Sequence, residues 1–267
     1  MSARHFTDQM GRTVEVPKNP KRIVSLVPSQ TELLFHWGLK EKVVGITKFC
    51  IHPKQEFKST FKVGGTKDVY IDRIRELNPD LIIGNKEEND QKNLSPIMEE
   101  FPVWMSDIFN LDDSLKMMTE LGKVLNVTEK AEELVSEIAS GFSRLKPATK
   151  KVRVAYLIWQ DPIMAAGHNT FINHLLERCG FENIFAGADY QYSRYPEITQ
   201  KQLIADKVDA ILLSSEPFPF GEKHIDNYKQ MCKNSKVKLV DGEIFSWYGN
   251  RLLLTPNYLQ ETIKYFS

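Results

Sequence analysis

The sequence predicts an α/β protein: two parallel-sheet lobes joined by one long rigid helix, with a ligand cleft between the lobes. Three observations carry this. Short apolar, largely β-branched runs alternate with helical stretches across residues 22–105, as in a parallel sheet covered on both faces. The same alternation resumes at residue 152 and continues to the terminal helix. Between them, residues 112–146 carry no strand pattern, only apolar positions spaced by three and four, which is a helical period.

In chain order, FTDQMGRTVEVP reads as a small hairpin turning near Met10-Gly11. Ile23, Val24, Leu26 and Val27 form a strand that Pro28 stops. Ser29 and Glu32 then match an S-x-x-E capping box opening an apolar helix, about 31–38, through Leu33, Leu34 and Trp37. Strands follow at Val43–Ile46, at Leu81–Ile83 after the turn Asn78-Pro79-Asp80, and at Val103–Met105, with helices at 70–77 and 91–100. Leu115, Met118, Leu121 and Leu125 make one helical stripe. Thr128 restarts a helix with apolar positions Ala131, Leu134, Ile138, Phe142 and Leu145, closed by Pro147. At 1.5 Å per residue, 129–146 spans about 27 Å. The second half offers strands at Val152–Trp159, Ala210–Ser214 and Val237–Val240, a helix at Thr170–Arg178 and a terminal helix at 249–265. The predicted organisation is an N-terminal lobe at 1–110, a helical connection at 111–148 and a C-terminal lobe at 149–267.

Composition narrows the function. The 35 basic and 35 acidic residues balance, so no net field points to nucleic acid or an anionic membrane. No window approaches the roughly 18 apolar residues that span a bilayer. The polar start MSARHFTDQMGR lacks the apolar region of a secretory signal, which favours an intracellular location. Cys50, Cys179 and Cys232 are widely separated with no C-x-x-C spacing, so no disulfide framework or metal site is signalled, and Cys50 with His52 is a weak ligand pair. There is no G-x-S-x-G, H-E-x-x-H, P-loop or G-x-G-x-x-G. The histidines at 5, 36, 52, 168, 174 and 224 form no cluster. An enzyme is not predicted, and no intrinsic cofactor.

Fold logic places ligand contacts in the segments leaving the carboxyl ends of the strands. In the first half these are Ser29-Gln30, Lys48-Phe49-Cys50, Gly65-Thr66-Lys67 and Asn85-Lys86-Glu87-Glu88. Ser29 mainly caps its helix and Gln30 is the better contact. Gly64-Gly65 fits either close backbone approach or a plain turn. Lys48, Lys67 and Lys86 suit either a mouth for carboxylates or phosphate, or simple solvation; Glu87-Glu88 reads as a solvated pair. In the second half the segments are Trp159-Gln160-Asp161, Ser214-Ser215-Glu216-Pro217-Phe218 and Phe245-Ser246-Trp247-Tyr248. Trp247 and Tyr248 are read as ligand contacts against local lid packing. Arg251, in the first turn of the final helix, opposes the helix dipole, which favours a role in the site. Tyr190, Tyr192, Arg194 and Tyr195 form another aromatic loop.

The ordered set PKRIVSLVPSQTELLFHWGL, VVGIT, GGTKDVYIDRIRELNPDLIIGN, VRVAYLIW, RCGFENIF, SRYPEITQKQL and DAILLSS resembles the substrate-binding proteins of ABC importers for vitamin B12 and ferric siderophores, over essentially the whole chain. The resemblance implies an extracytoplasmic, monomeric receptor that closes little on its ligand and delivers it to a membrane permease. The implied ligand is a bulky metal chelate: a corrinoid such as cobalamin, a ferric siderophore or a haem. Where vitamin B12 receptors frame the corrin with Trp residues, this chain has Tyr195, which keeps a stacking surface, and Thr66 and Asn85, which do not. Docking to the permease uses one acidic residue per lobe. Asp72 matches the first; Lys201 stands at the second, leaving Glu197 as a nearby substitute. The absent signal and Lys201 motivate the alternative, a cytoplasmic chelate-binding or sensory protein that reuses the receptor fold without docking.

Overall fold

The computed structural model describes residues 3–187, 190, 193–205 and 207–266. Its elements group into two units.

The first unit holds residues 1–108, 112–138 and 248–251. It opens with a hairpin, β1 (Ala3–Thr7) antiparallel to β2 (Thr13–Pro17). The fully buried Asp8 carboxylate fixes its turn. It accepts from the Met10 and Arg12 amides at 2.9 Å each, from the Arg12 guanidinium at 2.6 Å and from the Met105 amide at 3.2 Å.

Next come β3 (Ile23–Ser25), α1 (Pro28–His36), β4 (Val43–Ile46), α2 (Lys54–Ser59), β5 (Phe61–Lys62), α3 (Ile71–Leu77), β6 (Leu81–Asn85), α4 (Gln91–Glu100) and β7 (Val103–Ser106). The five strands form a parallel sheet in the order β5-β4-β3-β6-β7. Val24, Leu26, Val63, Ile74, Ile82, Leu94, Ile97 and Met105 form its core. The strand order reverses between β3 and β6, and at such a switch point the chain opens a crevice beyond the carboxyl ends.

Helices α5 (Leu111–Val124) and α6 (Thr128–Ser143) follow. The buried stripe of α6 is Ala131, Leu134, Ile138 and Phe142; the helix ends at Ser143, so Leu145, the fifth expected position, lies beyond it and is half-buried. In α5 it runs through Leu111, Met117, Met118, Leu121 and Val124, while Leu115 is only half-buried. Residues 112–138 belong to the first unit, so the division between units falls inside α6.

The second unit holds 109–111, 139–247 and 252–267. It contains β8 (Val152–Trp159), β9 (Met164–Ala165), α7 (Phe171–Arg178), β10 (Phe181–Asn183), α8 (Gln200–Ala205), β11 (Ala210–Ser214), α9 (Glu222–Met231), β12 (Lys236–Val240), α10 (Gly242–Ser246) and α11 (Thr255–Phe266). Its sheet is parallel in the order β10-β8-β11-β12, with β9 antiparallel to β8. The switch point lies between β8 and β11. Leu157, Phe185, Leu203, Ile211, Leu213, Tyr228 and Val237 fill the core.

Two local expectations are corrected. Ser29 and Glu32 form no capping box: α1 begins at Pro28, its N-cap is Val27, and no side chain caps it. Proline suits the first helical position because its φ is preset and its missing N–H has no partner to lose; this moves the helix start upstream of Ser29. Nor is the terminal helix continuous. A 3-10 turn, Asn250–Leu253, precedes α11, whose second residue is Pro256.

Candidate functional site

In the first unit the carboxyl ends of β3, β6 and β7 are joined by a buried polar network. Gln30 Nε2 donates to Ser106 Oγ at 2.5 Å, and Asn85 Nδ2 donates to the same oxygen at 2.9 Å. Asn85 Oδ1 accepts from the Glu87 and Glu88 amides at 2.8 and 3.1 Å. Asn89, absent from the sequence-based candidates, spans three segments: Oδ1 accepts from Asn85 N at 2.8 Å, and Nδ2 donates to Leu26 O and Thr66 O at 3.3 and 3.0 Å. Such a network fixes loop geometry, because each broken bond would leave a buried polar atom unsatisfied.

This corrects two candidates. Gln30 is fully buried and Asn85 is 1% exposed, so both build the floor and present no free face. Asn85 is held by Ser106 and by the Glu87 and Glu88 amides, and Gln30 Nε2 by the Ser106 hydroxyl. Ser29 is also buried, at 7% exposure. What reaches solvent is Phe49, 50% exposed, with Lys48 Nζ 5.1 Å from its ring centroid. Thr66 is half-buried and Lys67 exposed. The expected trio of lysines is locally engaged: Lys67 Nζ donates to Glu87 O, and Lys86 pairs with Asp107 at 2.7 Å. Gly64, at φ 116°, carries the turn that brings this loop back; its carbonyl accepts from Lys48 N at 2.8 Å.

Arg251 is not at a helix N-terminus. From the 3-10 turn it makes a two-pronged ion pair with Glu32, 2.9 Å on each arm, with the two side chains 13% and 16% exposed. The carboxylate assigned to a cap is thus the partner of the arginine assigned to the site.

In the second unit Trp159 ends β8 and is 38% exposed. Its ring meets Phe218 edge-on at 5.7 Å, and Phe218 in turn packs on Phe220 and His224 at 4.7 and 5.4 Å. Phe245 is core, packed between Tyr156 and Tyr258 at 5.0 and 6.2 Å. Trp247 is 7% exposed, and Tyr248, the first residue of the stretch that belongs to the first unit, is 5% exposed, which favours lid packing over an open contact. Tyr195 is half-buried, on a segment pinned by Gly167 N to Arg194 O at 2.8 Å and Ala165 N to Pro196 O at 3.0 Å. Tyr192 lies outside the described residues.

Glu216, beyond β11 in the candidate segment 214–218, is a polar hub to which the sequence assigned no particular role. Its Oε1 accepts from Ser246 Oγ at 2.8 Å and Trp247 Nε1 at 2.9 Å. Burial raises its carboxyl above the ordinary range, opposed by the Ser246 bond and reinforced by the charge of Glu243. The available signal was an acidic residue two positions past the end of a buried strand, in AILLSSEP.

Because the folded state holds this proton more tightly than the unfolded chain, stability falls as pH rises from the unfolded carboxylate pKa through the folded one. Glu216→Gln keeps an acceptor for both donors and removes the buried charge. The variant's melting temperature relative to the parent is expected to rise between pH 4 and pH 7, measured by thermal melts across that range. A constant difference would refute the assignment.

Cys50 is fully buried, with Sγ 3.1 Å from the hydroxyls of Thr31 and Thr47. Burial pushes its thiol up, which keeps it protonated and a poor metal ligand. Among the described residues no three His, Cys, Asp or Glu side chains are grouped to hold a metal ion. Of the docking candidates, Asp72 is 91% exposed in the first turn of α3 and 3.1 Å from Arg75, which also pairs with Glu100. Glu197 and Lys201 are both exposed. A cavity of about 580 Å³ lies elsewhere on the first unit, beside the amino end of β7, lined by Arg12, Glu15, Glu99, Glu100 and Phe101. It touches none of the candidate residues.

Residues 23–238 match the family model described as periplasmic binding protein. A vitamin B12-binding protein of Pectobacterium carotovorum subsp. carotovorum (strain PC1) is 25% identical over 246 residues, covering 90% of this chain and 87% of the relative. An ABC transporter substrate-binding lipoprotein of Bacillus subtilis (strain 168) is 26% identical over 271 residues, covering 96% and 84%. The solved periplasmic heme-binding protein of Roseiflexus sp. RS-1, in its apo form, superposes with a TM-score of 0.77 at 21% identity, covering 92% and 97%.

Proposed function

Because the chain belongs to the periplasmic binding protein family, a family of binding proteins and not of enzymes, we propose that it is the substrate-binding protein of an ABC-type importer for a bulky metal chelate. The ligand class is a corrinoid such as cobalamin, a ferric siderophore or a haem. The observation that carries this reading is the exposed aromatic residue that each unit offers at the carboxyl end of its parallel sheet, Phe49 after β4 and Trp159 at the end of β8. Flat rings held on rigid strand ends suit a large, planar, partly apolar ligand. The relatives named as vitamin B12-binding and as an ABC transporter lipoprotein support the ligand class and the importer context.

The protein acts as an extracytoplasmic monomer, and the exposed Asp72 carboxylate is its docking charge toward a permease, with Glu197 the second. No helix of the described residues is long and apolar enough to cross a membrane. A second reading, chelate binding in the cytoplasm without docking, is favoured by the exposed cation Lys201 at the second docking position, since like charges at a docking point cost several kcal/mol. Recovery of the protein from a periplasmic or lipid-anchored fraction excludes it.

Titration with cyanocobalamin, hemin and a panel of ferric siderophores, followed by tryptophan fluorescence, is expected to show micromolar or tighter binding for one class. Silence across the whole panel would sink the reading.

A further inference from the structure

Resting on the receptor reading, the geometry points to Glu216 as a specificity-determining carboxyl that selects ligands with hydrogen-bond donors on their periphery, such as carboxamides or ammonium groups, over ligands bearing carboxylates. The Glu216 side chain is held through one of its two oxygens. Oε1 takes both local donors, Ser246 Oγ and Trp247 Nε1. Those two bonds fix the plane of the carboxyl, leaving Oε2 with no hydrogen bond among the described residues. Glu216 is also only partly enclosed, so Oε2 is a preset acceptor, ordered before any ligand arrives.

Its position is where a ligand would meet it. Glu216 follows β11, adjacent in the sheet to β8, whose last residue is the exposed Trp159. Both strands flank the switch point of the second sheet, the usual ligand crevice of an open α/β unit. Preordered acceptors discriminate sharply, because a ligand that lacks the matching donor must still desolvate the oxygen.

The surrounding charge has the same sign. Glu243 and Asp241 act on Glu216 electrostatically, and both raise the cost of negative charge there. The neighbouring hydroxyls, Tyr156 at 3.1 Å from Ser214 and Ser214 at 2.6 Å from the Glu216 carbonyl, are committed to each other and to backbone. No lysine or arginine is within ion-pair distance of Glu216 among the described residues. With Glu216 ionised, a carboxylate at Oε2 would therefore meet repulsion with nothing to offset it, while an amide N–H or an ammonium would be welcomed.

The test compares cyanocobalamin, whose rim carries carboxamides, with hemin, whose rim carries two carboxylates, on the full chain. The unmodified protein is expected to bind cyanocobalamin the more tightly. In Glu216→Gln the ratio of the two affinities should fall about tenfold, the scale of one hydrogen bond to a charged acceptor. Glu216→Asp, which keeps the charge but withdraws it from the ligand, should lower the ratio as well. Thermal melts confirm that each variant is folded. A preference for hemin in the unmodified protein, or a ratio that neither substitution moves, overturns the inference while the receptor reading stands. An unmodified protein that binds neither probe and no ferric siderophore overturns the receptor reading and this inference together.

Discussion

Replacing Arg251 with alanine is expected to destabilise the protein by about 3 kcal/mol, because it strands a carboxylate that the fold has largely removed from water. Both side chains of the Glu32–Arg251 pair are less than one-fifth exposed, and the geometry is two-pronged at 2.9 Å. Removing one partner leaves the other without compensation. At this chain length, that loss corresponds to a fall of about 6–12 °C in melting temperature. The paired change Glu32→Leu with Arg251→Met removes both charges and should recover most of the loss, since a buried ion pair is often no more stabilising than an apolar pair of similar volume. Calorimetry of the two single variants and the double variant measures the coupling. A single variant that melts within 1 °C of the parent would show that the pair contributes nothing. If Arg251 contacted ligand instead, stability would be little changed and binding would fall.

Gly64→Ala should cost about 2–4 kcal/mol and weaken ligand binding at the same time. The residue sits at φ 116°, a conformation an L side chain rarely adopts, and an added Cβ would lie 2.4 Å from Asp68 O and 3.0 Å from Tyr70 N. Those are backbone atoms, so no rotamer change relieves the contact, and the strain is local and unavoidable. The turn also holds Lys48 through the Gly64 carbonyl and Gly65 through Asp68 O, at 2.8 Å each. Shifting it displaces Phe49 and Thr66, both candidate contacts. Thermal melts and the ligand titration, run on the same preparation, separate the two effects. Normal binding by a destabilised variant would remove this loop from the site.

Much of the fold was legible because it rests on patterns only a few residues long. The strands Val43–Ile46 and Val103–Ser106 and the helix Gln91–Glu100 lie where apolar runs and helical spacing put them. The stripe of α6 follows the sequence period from Ala131 to Phe142 but not to Leu145, which lies past the end of the helix. Short elements escaped, including the two-residue strand Phe61–Lys62 and the polar helix Glu222–Met231. The strand has too few residues to show alternation. In the helix, EKHIDNYKQM carries few apolar side chains, and its buried residues, His224 and Tyr228, are not ones a hydrophobic period detects.

The site was legible by segment and not by side chain. Most candidate segments do leave the carboxyl end of a strand, because the alternation of elements marks where strands stop; Phe245-Ser246 instead lie in α10. Which residues in a segment face outward depends on partners far away in the chain. Gln30 turns inward because Ser106 awaits it 76 positions on. Glu32 leaves its expected cap for an arginine 219 positions away. Asn85 closes onto Ser106, and Glu216 is ordered by Ser246 and Trp247. By itself, then, the sequence determined the two parallel-sheet units, the helical stretch at their division and the family resemblance, because periodicity and local turn chemistry act between near neighbours. Tertiary structure alone decided which polar side chains became scaffold and which remained available, because burial and hydrogen-bond satisfaction are settled only when distant segments meet.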